Sequence, residues 1–167
     1  MLERTGMVAV DPEQAHYAVY FVTKRGAAAS VTEWSQVVLA ASIPPEMFHR
    51  ELRTTVYAKF LRGDHDGALL EAFRLVEVRV REAGSFGPTD LGVPLMRKAF
   101  QTASGPLTDP GEVTAEQQAL SDLYAGAIGR FKNPPSHRLT SPDAAPTARL
   151  LSFASYLLTL LESRPIK

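Results

Sequence analysis

The feature that most constrains the fold is the helical spacing of apolar residues after Ile43. Leu69, Phe73, Val76 and Val80 recur every three or four residues, which is the period of one face of an α-helix. Similar stripes run through the segments Phe48–Phe60, Leu95–Phe100, Leu120–Phe131 and Leu150–Leu161. This repetition predicts an all-α bundle of four or five helices, since each stripe must be buried against another helix.

Polar residues and prolines mark where these helices begin and end. Asp64 or Asp66 is expected to cap the second helix of the series, and Thr114 with Gln117 has the spacing of a capping box. The helix that they open is expected to stop at Asn133-Pro134-Pro135, because a residue before proline leaves the helical region. A last helix is predicted from about residue 143 to 163.

The first 30 residues have a different character. "GMVAV" and "AVYFVT" are short and β-prone, and Asp11-Pro12 between them is typical of a turn. The chain is therefore expected to carry a small N-terminal β-hairpin in residues 1–30, a linker helix in 31–42 and the helical domain in 43–167. A lone hairpin is barely stable in water, so this one needs something to pack against.

Composition narrows the functional classes. The formal net charge is zero, so any nucleic-acid partner must be bound by a local patch rather than by a global basic field. The absence of cysteine excludes disulfides, cysteine zinc sites and a thiol nucleophile, and it fits a cytoplasmic protein. No signal peptide is recognised, and the charge-free run Leu150–Leu161 is too short to span a bilayer, so no membrane association is expected.

One segment concentrates positive charge. Between Leu123 and Pro142 there is no acidic residue, while Arg130, Lys132, His137 and Arg138 all fall within that window. Cations without a nearby carboxylate suit a phosphate. A helix C-terminus also favours cations through its dipole, which accounts for Arg130 and Lys132 but not for a histidine beyond a double proline.

The remaining polar residues do not form a familiar catalytic motif. No serine elbow or neighbouring carboxylate accompanies His137, and His16, His49 and His65 are scattered without metal-ligand spacing, so no metal or cofactor is expected. Histidine beside fixed cations is instead a coherent set for metal-free RNA cleavage, which needs a proton carrier and stabilisation of negative charge. Glu71 or Glu77 either lies on a solvated helix face or orients one of the cations.

Gly126 and Gly129 lie inside a predicted helix, where each costs about 1 kcal/mol relative to alanine. Glycine at such a position often permits close backbone approach, either to a helix of the same chain or to a second chain.

Four segments, taken in order, resemble a known family: "LLEAFRLVEVRVRE", "DLGVPLMRKAF", "LYAGAIGRFKNPPSHR" and "LLSFASYLLTLL". Over about the last 120 residues the chain is similar to the Ymh-type family of bacterial proteins, which is grouped with the HEPN superfamily. The resemblance implies a HEPN-like helical bundle, commonly dimeric. Many such proteins are metal-independent ribonucleases of toxin–antitoxin, abortive-infection and CRISPR systems, and others are non-catalytic binding modules.

The HEPN motif is an arginine, usually followed by a polar residue, with a histidine four to six residues later. Asn133 and His137 match the polar residue and the histidine, whereas Lys132 stands where the arginine is expected. Arg130 is the upstream arginine that could substitute. Lysine lacks the bidentate fork with which arginine grips phosphate.

The resemblance assigns roles to these residues. His137 would be the acid–base group, Lys132 and Arg130 would stabilise the phosphorane, Asn133 would orient the reacting groups, and Arg138 would bind substrate. Glu71 is a second candidate for substrate binding, from its place on the helix face and not from the resemblance. The implied partners are a second copy of the chain, an RNA substrate, and a partner protein or antitoxin. The alternative is a non-catalytic module that binds nucleic acid, a nucleotide or a protein as a regulator.

The first 30 residues resemble the wing of a winged helix, in the stretch "LERTGMVAVDPEQAHYAVYFVTKRG". The recognition helix that would precede such a wing is missing, so we do not expect this chain to bind DNA alone. A truncated or processed form of a longer protein would explain this arrangement.

Overall fold

A computed structural model describes residues 2–12, 19–132 and 142–164. Within these ranges the chain is mostly helical, which confirms the helical class, and it carries one small two-stranded hairpin. The helices are α1 Lys24–Ala28, α2 Val31–Ser42, α3 Arg50–Thr55, α4 Tyr57–Leu61, α5 His65–Ala83, α6 Gly92–Ala99, α7 Thr114–Ala127 and α8 Ala144–Glu162. Short 3₁₀ turns cover Leu2–Thr5 and Pro45–Met47, and a wider π-helical turn, Ile128–Lys132, continues α7.

The N-terminal hairpin forms as predicted. Strands β1 (Val8–Val10) and β2 (Tyr20–Val22) pair antiparallel, and Ala9 lies opposite Phe21. Helix α1 follows at once, because the Thr23 hydroxyl accepts the Gly26 N–H at 3.1 Å and caps its first turn. All three residues of β2 are exposed.

Helix α2 coincides with the stretch expected as a linker helix, residues 31–42. Its start is fixed by a capping box, in which the Ser30 hydroxyl accepts the Glu33 N–H and the Glu33 carboxylate accepts the Ser30 N–H. Ala40 and Ala41 at its far end are buried in the same hydrophobic core as the later helices. Helix α2 therefore packs on the helical bundle.

Helix α5 is one of the two longest helices and carries the stripe that opened the sequence argument. Phe73, Val76 and Val80 are fully buried, and the Asp64 carboxylate caps the helix by accepting the Gly67 N–H at 3.0 Å. The stripe packs mainly against α8 and the π-helical turn. Apolar spacing and a capping aspartate thus placed this helix correctly.

The start of α7 differs from the expectation. Thr114 does not cap the helix: the N-cap position is Val113, whose N–H is accepted by the Glu116 carboxylate at 3.3 Å. Gln117 is buried, and its side-chain N–H groups donate to the carbonyls of Asp109 and Glu112. The predicted capping box is wrong because burial of Gln117 ties this amide to the preceding loop.

Helix α8 is buried along one broad side. Leu151, Ala154 and Leu157 are almost completely buried, whereas Tyr156 is exposed. By length and composition this helix could cross a membrane, although the charge-free run Leu150–Leu161 within it is too short to span a bilayer. Half of the apolar stretch is buried inside the protein, as in the core helix of a soluble protein, so it is weak evidence for a span.

The two glycines near the end of α7 have different surroundings. A β-carbon on Gly129 would lie 3.2 Å from the Val93 side chain of α6, so this glycine allows close approach within the chain. A β-carbon on Gly126 would meet no atom within 4 Å, and the residue is exposed.

Candidate functional site

The acid-free segment begins where α7 widens into the π-helical turn Ile128–Lys132. Three of the predicted site residues, Asn133, His137 and Arg138, lie outside the described residues. Lys132, Arg130 and Glu71 lie within them, and they define the surroundings from which the segment 133–141 departs. Single π-helical turns are frequent at functional sites, because the extra residue re-aims the side chains around it.

Aromatic packing fixes the π-helical turn. The Phe131 ring stacks on Phe73 of α5 with the ring centroids 5.4 Å apart, and it meets Phe153 of α8 edge-on at 6.1 Å. The two longest helices therefore hold the residue that immediately precedes Lys132. This anchor sets the position of the lysine backbone independently of the segment that follows.

Lys132 forms an ion pair with a buried carboxylate. Its Nζ lies 2.9 Å from Oε2 of Glu77, whose side chain is only 3% exposed. The same Oε2 accepts the backbone N–H of Gly92 at 2.8 Å. Gly92 has a φ of +63°, a conformation that glycine adopts at little cost, and it begins α6. Glu77 therefore ties the end of the π-helical turn to the start of α6.

The sequence left open whether Glu71 or Glu77 reaches the cation cluster. Glu77 does so through Lys132, whereas Glu71 pairs with Lys59 of α4. Glu77 and Arg81 are four residues apart on α5, but they are not among the ion pairs in the described part of the chain. Burial explains the choice, since a carboxylate at 3% exposure needs a close cation and a backbone donor.

Lys132 and Glu77 lie in a cleft of about 560 Å³ that runs along one face of α5. We call it the α5 cleft, and its lining residues are Lys59, Gly67, Leu70, Glu71, Arg74, Glu77, Val78, Arg81, Leu91 and Lys132. Four of these side chains are basic and two are acidic. The cleft is therefore a local positive patch on a chain whose formal net charge is zero.

Arg74 and Arg81 supply the excess positive charge of the α5 cleft. Neither forms an ion pair within residues 2–12, 19–132 and 142–164, whereas both carboxylates of the cleft are engaged by lysines. The two arginines are seven residues apart, about 10 Å along the helix axis. Unpaired guanidinium groups present several N–H donors in a plane, which matches phosphate oxygens.

Arg130 does not join this arrangement. It is exposed, and it is not among the residues that line the α5 cleft. Side chains two residues apart on a helix point to nearly opposite sides, so Lys132 and Arg130 cannot both face the cleft. The motif segment thus places one of its two described cations in the cleft.

Sequence reasoning overlooked the cleft itself. The sequence pattern leaves Glu71 open between a solvated helix face and a contact with the cations, and it gives no sign of Lys59. The available signal was the run of polar positions at Glu71, Arg74, Glu77 and Arg81, which share one side of α5. Its significance depends on Lys132, 55 residues beyond Glu77 in sequence.

His49 and His65, the two histidines in the described ranges, have structural contacts. His49 Nε2 lies 3.1 Å from a carboxylate oxygen of Glu162, and His65 Nδ1 lies 2.6 Å from the carbonyl oxygen of Pro142. Among the described residues, no group of three or more histidines and carboxylates is placed to hold a metal ion.

Comparison with known proteins gives one match. The family described as "Protein of unknown function (Hypoth_ymh)" matches residues 46–161, which is most of the chain and covers α3 to α8 and the α5 cleft. No curated protein and no solved structure matches. The chain belongs to the Ymh family of proteins of unknown function.

Proposed function

We propose that this Ymh protein is a HEPN-like, metal-independent endoribonuclease that binds RNA along the α5 cleft. The observation that carries the proposal is the position of Lys132. It lies in a cleft with an excess of positive charge, and it immediately precedes the segment that contains Asn133, His137 and Arg138. A bound phosphate backbone would thereby reach the histidine that the resemblance implicates.

The proposed reaction is transesterification within RNA. The 2′-hydroxyl attacks the adjacent phosphorus, the bond to the 5′-oxygen breaks, and a 2′,3′-cyclic phosphate forms. His137 would carry the proton, since imidazole titrates near neutral pH. Lys132 would stabilise the charge on the phosphorane, Asn133 would orient the reacting groups, and Arg138 would bind the substrate.

Arg74 and Arg81 are proposed to bind phosphates outside the reacting one. Neither forms a salt bridge within the described ranges, and α5 holds both on a rigid scaffold. Glu71 would contribute indirectly, by holding Lys59 at the edge of the cleft. Arg130 does not line this cleft and would serve a site only if a second chain lay against it.

The wider setting follows from the HEPN resemblance and is part of the proposal. Two chains would bring two copies of the motif together, so the active form would be a homodimer. The protein would act in the cytoplasm, as a toxin-type or defence ribonuclease controlled by a partner protein or antitoxin. The hairpin would correspond to the wing of a winged helix, as its sequence pattern suggests.

A second candidate function is favoured by the Glu77–Lys132 ion pair. A lysine held 2.9 Å from a carboxylate has much of its charge compensated, which weakens its capacity to stabilise a phosphorane. The same cleft could then bind RNA, a nucleotide or a partner without cleaving it. Arg74 and Arg81 would remain the principal contacts in that case.

The enzyme proposal is tested by RNA cleavage in the presence of EDTA. We expect the wild type to produce fragments ending in a 2′,3′-cyclic phosphate, His137→Ala to produce none, and His16→Ala to match the wild type. Binding of RNA without cleavage by a dimeric wild type would refute the enzyme and favour the binding module. Neither binding nor cleavage of a varied RNA set would refute the enzyme, and it would restrict the binding module to a nucleotide or a protein partner.

The role of the cleft is tested by the salt dependence of binding. Fluorescence anisotropy with a labelled single-stranded RNA should show weaker binding by Arg74→Gln and Arg81→Gln. Each change should lower the slope of log affinity against log salt by about 0.7, the value for one lost phosphate contact on a single strand. Arg53→Gln on α3 is the matched control, because Arg53 is exposed and lines none of the clefts described. Unchanged slopes for both cleft variants would place RNA elsewhere.

A further inference from the structure

A second cavity lies where the N-terminal segment, α2, the α4–α5 loop and the start of α8 meet. Its volume is about 300 Å³, the lower end of the range for small-molecule sites. We call it the junction pocket. It shares no lining residue with the α5 cleft.

The floor of the junction pocket is apolar. It is built by Met7, Val37, Ala40, Phe60 and Leu61, all of which are buried. These residues come from the N-terminal segment, α2 and α4, so the floor is a joint surface of three parts of the fold. An apolar floor offers water few hydrogen bonds, and it suits a hydrocarbon or aromatic group.

Two arginines stand at the rim. The Arg25 guanidinium donates to the backbone carbonyl of Arg62, which leaves further N–H donors on Arg25. Arg62 is exposed and also lines the pocket. Within the described ranges neither arginine has a salt bridge. The nearby Glu33 carboxylate is engaged in the first turn of α2, where it accepts the backbone N–H and hydroxyl of Ser30 at 2.7 and 2.8 Å.

The other polar groups of the rim are held in defined orientations. His65 Nδ1 donates to the Pro142 carbonyl at 2.6 Å, because a carbonyl can only accept, so Nε2 of the neutral ring is an acceptor. The Gln36 carbonyl accepts the Ala144 N–H at 2.8 Å, which leaves its amide N–H groups as donors. A ligand would thus meet groups whose orientation is already set, which reduces the entropy lost on binding.

We propose that the junction pocket binds a small organic anion, namely one or two rings or a short hydrocarbon carrying a carboxylate or a phosphate monoester. The anionic group would lie against Arg25 and Arg62, and the apolar body would lie on the floor. Asp143 at the rim disfavours a ligand with two separate anionic groups, since its carboxylate would repel the second group.

The position of the pocket gives such a ligand a route to the rest of the molecule. Pro142 and Asp143 directly follow the segment 133–141, and His65 begins α5, whose middle lines the α5 cleft. A ligand that stabilises the hydrogen bond between His65 and Pro142 therefore acts just after residue 141, whereas Lys132 lies just before residue 133. The binding proposal itself does not depend on RNA cleavage.

The test is a ¹⁵N NMR titration of the full chain with 3-phenylpropionate, phenyl phosphate and, as the uncharged analogue, 3-phenylpropan-1-ol. We expect saturable shifts at Val37, Ala40 and His65 with at least one anion, and binding weaker by about fivefold or more with the alcohol. The tighter of the two anions identifies the headgroup.

Variants separate the pocket from adventitious binding. Arg62→Gln should weaken anion binding by about fivefold or more, Thr32→Trp at the exposed mouth should block it, and Arg53→Gln should leave it unchanged. The spectrum of each variant shows whether it is folded. Equal affinity for the alcohol and the anions, shifts outside the pocket, or binding unaffected by Arg62→Gln and Thr32→Trp would each overturn the proposal.

Discussion

The buried ion pair between Glu77 and Lys132 should couple the site to the stability of the fold. In Lys132→Met, the Glu77 carboxylate stays buried at 3% exposure and loses its cation, while the N–H of Gly92 still binds it. Removing one partner of a fully buried pair costs about 3–5 kcal/mol. Because the Lys132 side chain is 21% exposed, water reaches the pair, and we expect about 2–3 kcal/mol.

The reverse change should cost less. Glu77→Gln keeps an oxygen for the Gly92 N–H, and Lys132 can turn towards water, so we expect a loss of about 1–2 kcal/mol. The double variant should be more stable than the sum of the single changes by about 1–2 kcal/mol. This coupling cancels every other contact of Lys132, so it reports on the pair alone.

Urea unfolding measures all three variants. With a slope of roughly 2 kcal/mol per molar urea, the midpoint of Lys132→Met should fall by about 1–1.5 M. Lys98→Met is the matched control, because Lys98 forms an exposed pair with Asp90 and should lose no more than about 1 kcal/mol. The pair would not anchor the π-helical turn if the free energy of unfolding of Lys132→Met lay within about 0.5 kcal/mol of the wild-type value. Strict additivity of the two single changes in the double variant would show the same.

Three further predictions concern stability. Gln117→Leu should lower the free energy of unfolding in urea by at least about 2 kcal/mol, because it leaves two carbonyls and one backbone N–H of the preceding loop without partners. An unchanged free energy of unfolding would contradict this. Tyr124→Phe should cost about 1 kcal/mol, since its hydroxyl donates to the Leu157 carbonyl at 2.6 Å, and an unchanged midpoint would argue against that bond. The hydrogen bond with Lys98 lowers the pKa of Asp90, so this carboxylate contributes stability above its ordinary pKa and loses it as pH falls through the lowered value. Thermal unfolding of the wild type and Asp90→Asn should therefore differ at neutral pH and converge in acid, and a constant difference would refute the assignment.

The sequence was sufficient where structure depends on local pattern. The stripe from Leu69 to Val80 predicts α5 because burial of one helix face requires that period, and Asp64 predicts its start because a carboxylate there reaches a free backbone N–H. The predicted capping box of Thr114 and Gln117 is wrong because the partners of Gln117 lie in the preceding loop, where no periodic signal in the sequence reveals them.

The candidate site likewise has one part that the sequence predicts and one part that it does not. The acid-free cluster from Arg130 to Arg138 is visible because its members are neighbours in sequence. The partner of Lys132 is Glu77, and the open cations are on α5, so both depend on how α5 packs against the π-helical turn. Tertiary packing of this kind leaves no trace in the spacing of one sequence.

The anchoring of the π-helical turn has a consequence for how such a site can diversify. Phe131 and Lys132 are tied to α5 and α8 just before residue 133, and the Ala144 N–H is tied to Gln36 just after residue 141. A change in the length of the nine-residue connection between these anchors costs little free energy, because each doubling of loop length adds only about 0.6 kcal/mol of closure entropy. Selection can therefore change the residues of this stretch, and with them its chemistry, while the surrounding helices keep their packing.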